Sequence, residues 1–214
     1  MAPPDDLVYR NVGTFFAERG FLTVIADYRL VPNAVFPQPS EDIRDAVAYI
    51  VNNLSADGDI DSIFLVGHSA GAAILATLFL HEPVLGSTPE ISKHIKGIAL
   101  MGGAYGGGGL PPPVIKAFFG ESLDAHVPFG LLKVASSSTL KAFPPTLLMR
   151  SEKEPEDLLN TQTIFASQLG EKLGQTFEVY VAKGHNHISP HLALCTGEGE
   201  EWAEHIVTWA KARL

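Results

Sequence analysis

The sequence predicts an α/β fold built on a mostly parallel sheet, and three observations predict it. Strand-like and helix-like apolar runs alternate along the whole chain. Residues 67–71 read Gly67-His68-Ser69-Ala70-Gly71, set between a short β-branched run and a long apolar one. Polar loops rich in carboxylates and histidines follow the last two strand signals, on the sheet edge where such folds gather their sites.

The elements come in order. Leu7 to Arg19 carries Val8, Val12, Phe15 and Phe16 on one face and stops at Gly20, which predicts a helix. Phe21 to Ala26 predicts a strand. Ser40 is expected to cap a helix whose first turn holds Glu41 and Asp42, favourable beside the positive end of the helix dipole. Its apolar positions Ile43, Ala46, Val47, Ile50, Val51 and Leu54 follow the spacing of one buried helical face. Ser62 to Val66 predicts a buried strand, and Ala72 to Leu80 a helix apolar all round. Gly97 to Met101 predicts another strand. A Gly/Pro-rich, cap-like insertion spans about 104–143 and includes Phe118, Phe119 and Phe129. Thr146 to Met149 predicts a strand, Leu158 to Leu169 a helix, Phe177 to Val181 the last strand and Glu200 to Arg213 the last helix, with Trp202, Ile206 and Trp209 inward. Five strands separated by helices, in one domain over 1–214, are the expectation.

Composition narrows the function classes. The chain has 214 residues, 46% of them hydrophobic, enough for a sizeable core. A formal charge of −9 and a pI near 5.3 argue against nucleic acid and anionic membrane surfaces as partners. A single cysteine, Cys195, excludes an internal disulfide and fits a reducing compartment. No membrane span is expected, because no run of about 18 apolar residues occurs. Met1 to Asp6 has neither a basic start nor an apolar core, so no signal peptide is read there and a cytoplasmic location is expected. Gly106 to Pro113 lacks the Lys-Ser/Thr ending of a phosphate cradle and reads as a flexible loop. No cofactor is expected. His185, His187, His191 and Cys195 are zinc-ligand types, but Pro190 breaks the segment and its spacing suits a loop, so no metal is expected either.

The chemistry centres on Ser69. A serine between a strand and a helix, with glycines two residues either side, sits on a sharp turn that pushes its hydroxyl outward. A hydroxyl alone is a weak nucleophile and needs an imidazole base oriented by a carboxylate. Ala182 to Ser189 offers His185 and His187, and Arg150 to Asp157 offers Glu152, Glu154, Glu156 and Asp157. The order serine, acid, histidine is the one α/β hydrolases use.

Gly67-His68-Ser69-Ala70-Gly71, Asp27-Tyr28-Arg29-Leu30-Val31-Pro32 with Phe36-Pro37, and Ser40-Glu41-Asp42 resemble α/β-hydrolase esterases. The nearest groups are the hormone-sensitive-lipase-like carboxylesterases and the kynurenine-formamidase-like enzymes, over nearly the whole chain from about Leu7. The resemblance implies a three-layer α/β-hydrolase-type fold and a triad of Ser69, His187 and Glu154. In these families the acid opens an Asp-Pro-like step, matched by Glu154-Pro155 with glutamate in the aspartate's place; Glu152 and Asp157 stay as alternatives. The base precedes a small or apolar residue, as His187 precedes Ile188. Ala70 would give an oxyanion N–H, and His68, Phe118, Phe119 and Phe129 would meet substrate. Asp27 and Arg29 look structural.

One expected part is missing. The families carry a His-Gly-Gly loop after their third strand whose N–H groups complete the oxyanion hole, and this chain has none. It starts at what would be the first helix, lacking the first three strands of the usual eight. Losing one oxyanion donor costs roughly 2.7–4 kcal/mol of transition-state stabilisation. The absent third strand leaves either a closed-up five-strand sheet or an apolar gap with unpaired backbone edges. Two readings result: a serine hydrolase cleaving small carboxylic esters, with amides or formamides as a close variant, or a non-catalytic hydrolase-like module that binds apolar ligands or forms a homodimer.

Overall fold

Strand formation begins at the run before Ser69. The structure, a computed structural model, describes residues 7–86, 89–107 and 111–214, without the side chains of Leu7 and Val8. The hexapeptide Met1 to Asp6, Val8 as a face residue, and Gly108-Gly109-Leu110 therefore lie outside the described residues. Helix α1 (Leu7–Ala17) and α2 (Gln38–Asn53) precede β1 (Ile63–His68). Then come α3 (Ala70–Leu80), α4 (Glu82–Gly86), a 3₁₀ turn (Pro89–His94) and β2 (Ile95–Met101). Four short helices come next: α5 (Pro112–Phe119), α6 (Leu123–His126), α7 (Pro128–Val134) and α8 (Ser137–Lys141). The chain closes with β3 (Thr146–Lys153), α9 (Glu156–Leu173), β4 (Tyr180–Asn186), α10 (Ser189–Ala193) and α11 (Glu201–Lys211).

The four strands form one parallel sheet in the order β1-β2-β3-β4. Alternation along the strands builds a core on each face. Ile98, Leu100 and Leu148 point to the side of α3 and α9, where Leu75, Leu78, Phe165 and Leu169 meet them. Ala99, Met101, Leu147 and Met149 point the other way, against Phe15 of α1 and Trp202 and Ile206 of α11. Each such large apolar side chain contributes about 1.5–3 kcal/mol when fully buried. Helix α3 sits deepest: Ala72 and every residue from Ile74 to Leu80 are buried, as its all-round apolar sequence requires.

The structure corrects several expectations. Phe21 to Ala26 forms no strand: residues 21–30 carry no regular structure and enter no ladder. A strand needs a hydrogen-bonded neighbour as well as β-propensity, and none is supplied among the described residues. Accordingly Leu22 is 55% and Ile25 50% exposed, and β1 is an open sheet edge with Val66 44% exposed. Of the two arrangements expected without a third strand, this is the one with an unpaired edge, with four strands rather than five among the described residues. Ser40 does not cap α2, which starts at Gln38 behind Pro37; its buried hydroxyl instead donates to the Ile74 carbonyl at 3.0 Å and ties α2 to α3. Strands β3 and β4 run further than expected, to Lys153 and Asn186, which carries part of both polar loops into the sheet. The insertion is helical over most of its described length, because Pro112 and Pro128 start helices, where a missing N–H costs nothing.

Candidate active site

Ser69 joins β1 to α3 with φ +55° and ψ −117°, a strained conformation for a residue with a side chain. Its N–H donates to the Met101 carbonyl at 2.9 Å, which anchors the turn to the end of β2. Gly67 is required sterically: a Cβ there would stand 2.6 Å from the Gly71 carbonyl oxygen and 2.8 Å from the Ala72 nitrogen. Gly71 faces open space, where a Cβ would meet no neighbour within 4 Å.

The turn brings Ser69 to His187. His187 Nε2 lies 2.8 Å from Ser69 Oγ, and His187 Nδ1 lies 2.7 Å from Glu154 Oε2. A carboxylate only accepts, so Nδ1 carries the proton and Nε2 is left to accept the serine hydroxyl. Glu154 has a fully buried side chain and also accepts the Ser151 N–H on Oε1 at 3.1 Å. Burial pushes its pKa upward, but the bonds from His187 and Ser151 outweigh burial and hold the carboxyl below its usual value. The position follows from sequence: a residue before proline avoids the helical region, so Glu154 stays extended between β3 and α9, and Pro155 stands at the helix N-cap.

The competing residues are otherwise engaged. Glu152 accepts from Lys183 Nζ and the Gly184 N–H, each at 2.9 Å, and Asp157 lies in the first turn of α9. His185 bonds Ser189 Oγ at 3.0 Å and the Gly199 carbonyl at 2.8 Å. Arg29 pairs with Asp42 at 2.7 Å, a link between the irregular segment and α2. Ala70 opens α3, where backbone N–H groups lack intrahelical acceptors and the dipole is positive. Phe118 and Phe119 pack edge-to-face, and Phe119 lies 6.2 Å from the Phe36 ring; Phe129 lies 6.2 Å from Phe165. Among the described residues, no ring contact joins these phenylalanines to His187.

Two features lie beyond the sequence reading. Gly102, at φ +61°, leaves room for the acid and base: a Cβ would stand 3.0 Å from Glu154 Oε1 and 3.4 Å from the His187 ring. The Gly102-Gly103 pair after β2 is the signal available for it. The second is an imidazole cluster. The His68 ring lies 4.8 Å from His187 and 4.9 Å from His191, which stacks on Tyr9. His68 Nε2 is buried without a hydrogen-bond partner, and burial, with the neighbouring imidazoles, lowers its pKa to about 4. Two surface hollows, of about 750 and 700 Å³, are lined by no member of the triad.

A parallel sheet flanked on both faces, with a strained serine at a strand-to-helix turn, is the α/β-hydrolase fold. Residues 4–87 match the BD-FAE family. A probable isoprenylcysteine alpha-carbonyl methylesterase of Oryza sativa subsp. japonica is 39% identical over 74 residues, 34% of this chain and 17% of that protein. Esterase LipQ of Mycobacterium tuberculosis is 28% identical over 150 residues, 64% of this chain and 35% of LipQ. The chain thus spans between a sixth and about a third of these two relatives. Among solved structures, a fungal esterase from Rhizomucor miehei aligns with a TM-score of 0.73 at 22% identity, covering 95% of this chain and 68% of the other. The hyperthermophilic esterase of Pyrobaculum calidifontis aligns with 0.70 at 22% identity, covering 96% and 70%.

Proposed function

We propose that the chain hydrolyses small carboxylic esters with Ser69 as nucleophile, His187 as base and Glu154 as the group that orients and stabilises the imidazole. The observation that carries this is the unbroken line from Ser69 Oγ through His187 to the buried Glu154, with both steps at hydrogen-bond distance. Ser69 Oγ attacks the ester carbonyl while His187 Nε2 takes its proton. The Ala70 N–H and the positive end of α3 face the developing oxyanion. The tetrahedral intermediate collapses as protonated His187 hands its proton to the departing alkoxide. Water, deprotonated by the same imidazole, then attacks the acyl-serine and releases the acid and Ser69. Phe118, Phe119 and Phe129 belong to the insertion at 104–143, which we assign as the apolar cap over the acyl or alcohol group. The esterase names of the relatives support the reaction class; amide and formamide substrates use the same machinery.

A second reading rests on the open edge of β1. With Val66 exposed on that edge, the chain would be a hydrolase-like binding module or homodimer without turnover. A p-nitrophenyl ester assay paired with a thermal-shift screen separates the two. Turnover abolished by Ser69→Ala supports the hydrolase; background turnover in a folded chain that is stabilised by apolar ligands supports the module.

A further inference from the structure

The triad leaves unused a groove of about 750 Å³ between α9 and residues 174–179, whose lining includes Arg150, Gln162, Ala166, Glu171, Phe177 and Val179. The groove exists because Gly170 lets the chain fold back tightly: a Cβ there would stand 2.6 Å from the Gln175 carbonyl oxygen. Two of its side chains are unsatisfied.

Gln162 is 5% exposed, and both its amide nitrogen and its amide oxygen are buried with no hydrogen-bond partner. Each such atom costs roughly 1–3 kcal/mol when left unpaired, so two on one residue is an expensive arrangement. Arg150 projects from β3 on the same side and is only partly exposed. Among the described residues its guanidinium has neither an ion-pair nor a hydrogen-bond partner. The arginine of the other hollow differs: Arg29 is already paired with Asp42 at 2.7 Å. A planar guanidinium with free N–H groups is matched to a carboxylate or another oxyanion. The Gln162 amide adds a donor for the same group. The rest of the lining is mixed: Thr163, Ser167, Gln175 and Thr176 are polar, and Ala166, Phe177 and Val179 offer apolar surface for a short hydrocarbon tail. Glu171 is exposed, where solvent and salt screen its charge.

We propose that this groove binds a small organic monocarboxylate, with its carboxylate on Arg150 and Gln162 and its hydrocarbon part on Phe177 and Val179. The site is separate from Ser69 and does not depend on ester hydrolysis. Contact with the Ala166, Phe177 and Val179 patch would favour a carboxylate with a tail over a bare inorganic anion.

The test is calorimetric titration of the Ser69→Ala chain with butyrate, benzoate and inorganic phosphate, repeated in Arg150→Met and Gln162→Leu. Saturable binding of butyrate or benzoate with Kd below about 10 mM is expected, with phosphate at least roughly tenfold weaker. Arg150→Met keeps the aliphatic stem and is expected to weaken binding roughly tenfold or more, to the order of one lost charge-assisted contact. Gln162→Leu is expected to weaken binding while raising Tm, since it removes two unpaired buried atoms; this separates loss of a ligand contact from loss of fold. Absence of saturable binding, binding unchanged in Arg150→Met, or phosphate binding as tightly as butyrate would each overturn the proposal.

Discussion

Acidification should destabilise this chain through His68, and the size of the effect can be worked out. His68 lies beside His187 and His191 with Nε2 buried, and its pKa falls from 6.5 in the open chain to about 4 in the folded one. Between those two values the unfolded chain binds a proton that the folded chain refuses, so stability drops as pH falls. The contribution is intact above pH 6.5, declines through the window and is fully lost below about pH 4. Each pH unit across it is worth about 1.4 kcal/mol, which gives about 3 kcal/mol from this one residue. His191 and Glu154, both with lowered pKa values, add losses of the same sign as pH falls. The perturbation is His68→Phe, which keeps a ring, removes the unpartnered nitrogen and cannot titrate. Urea unfolding at pH 7, 5.5 and 4 measures it: wild type should lose about 3 kcal/mol more than the variant between the extremes. Parallel losses in the two proteins would refute the reasoning, as would an NMR titration in which His68 protonates near pH 6.5.

Three further outcomes come from the geometry. Glu154→Gln removes the charge held 2.7 Å from His187 and should lower kcat on a p-nitrophenyl ester roughly 10³–10⁴-fold with the fold retained by circular dichroism. Gly67→Ala forces a Cβ against the backbone of residues 71 and 72, and should cost about 1–3 kcal/mol in urea unfolding together with most of the activity. Ser40→Ala deletes the buried bond to the Ile74 carbonyl and should cost about 1 kcal/mol without changing KM, as read by thermal unfolding and steady-state kinetics.

Much of this is legible in the sequence, for reasons that can be named. The elbow at Ser69 is a local event: Gly67, a β-branched strand and an apolar helix all act within a few residues of it, and each leaves a letter in the chain. Strand order narrows the acid and base to the loops after the last two strands, and the choice of Glu154 and His187 within them comes from the family resemblance. The segment from Phe21 to Ala26 misleads because a strand is a property of a pair, and its pattern says nothing about a missing neighbour. The helices of the insertion are hidden because proline reads as a breaker, although Pro112 and Pro128 begin helices. The imidazole cluster is invisible for a different reason. His68, His187 and His191 meet only through the parallel register that sets the end of β1 beside the segment after β4, and the role of Gly102 depends on the same closure.

The central claim, that Ser69 is an activated nucleophile, is tested most directly by reacting the folded chain with a fluorophosphonate and locating the adduct by mass spectrometry. One adduct is expected, on Ser69, formed at neutral pH, lost in Ser69→Ala and slowed strongly in His187→Ala and Glu154→Gln. No adduct on the folded chain, or labelling that persists in Ser69→Ala, would contradict it.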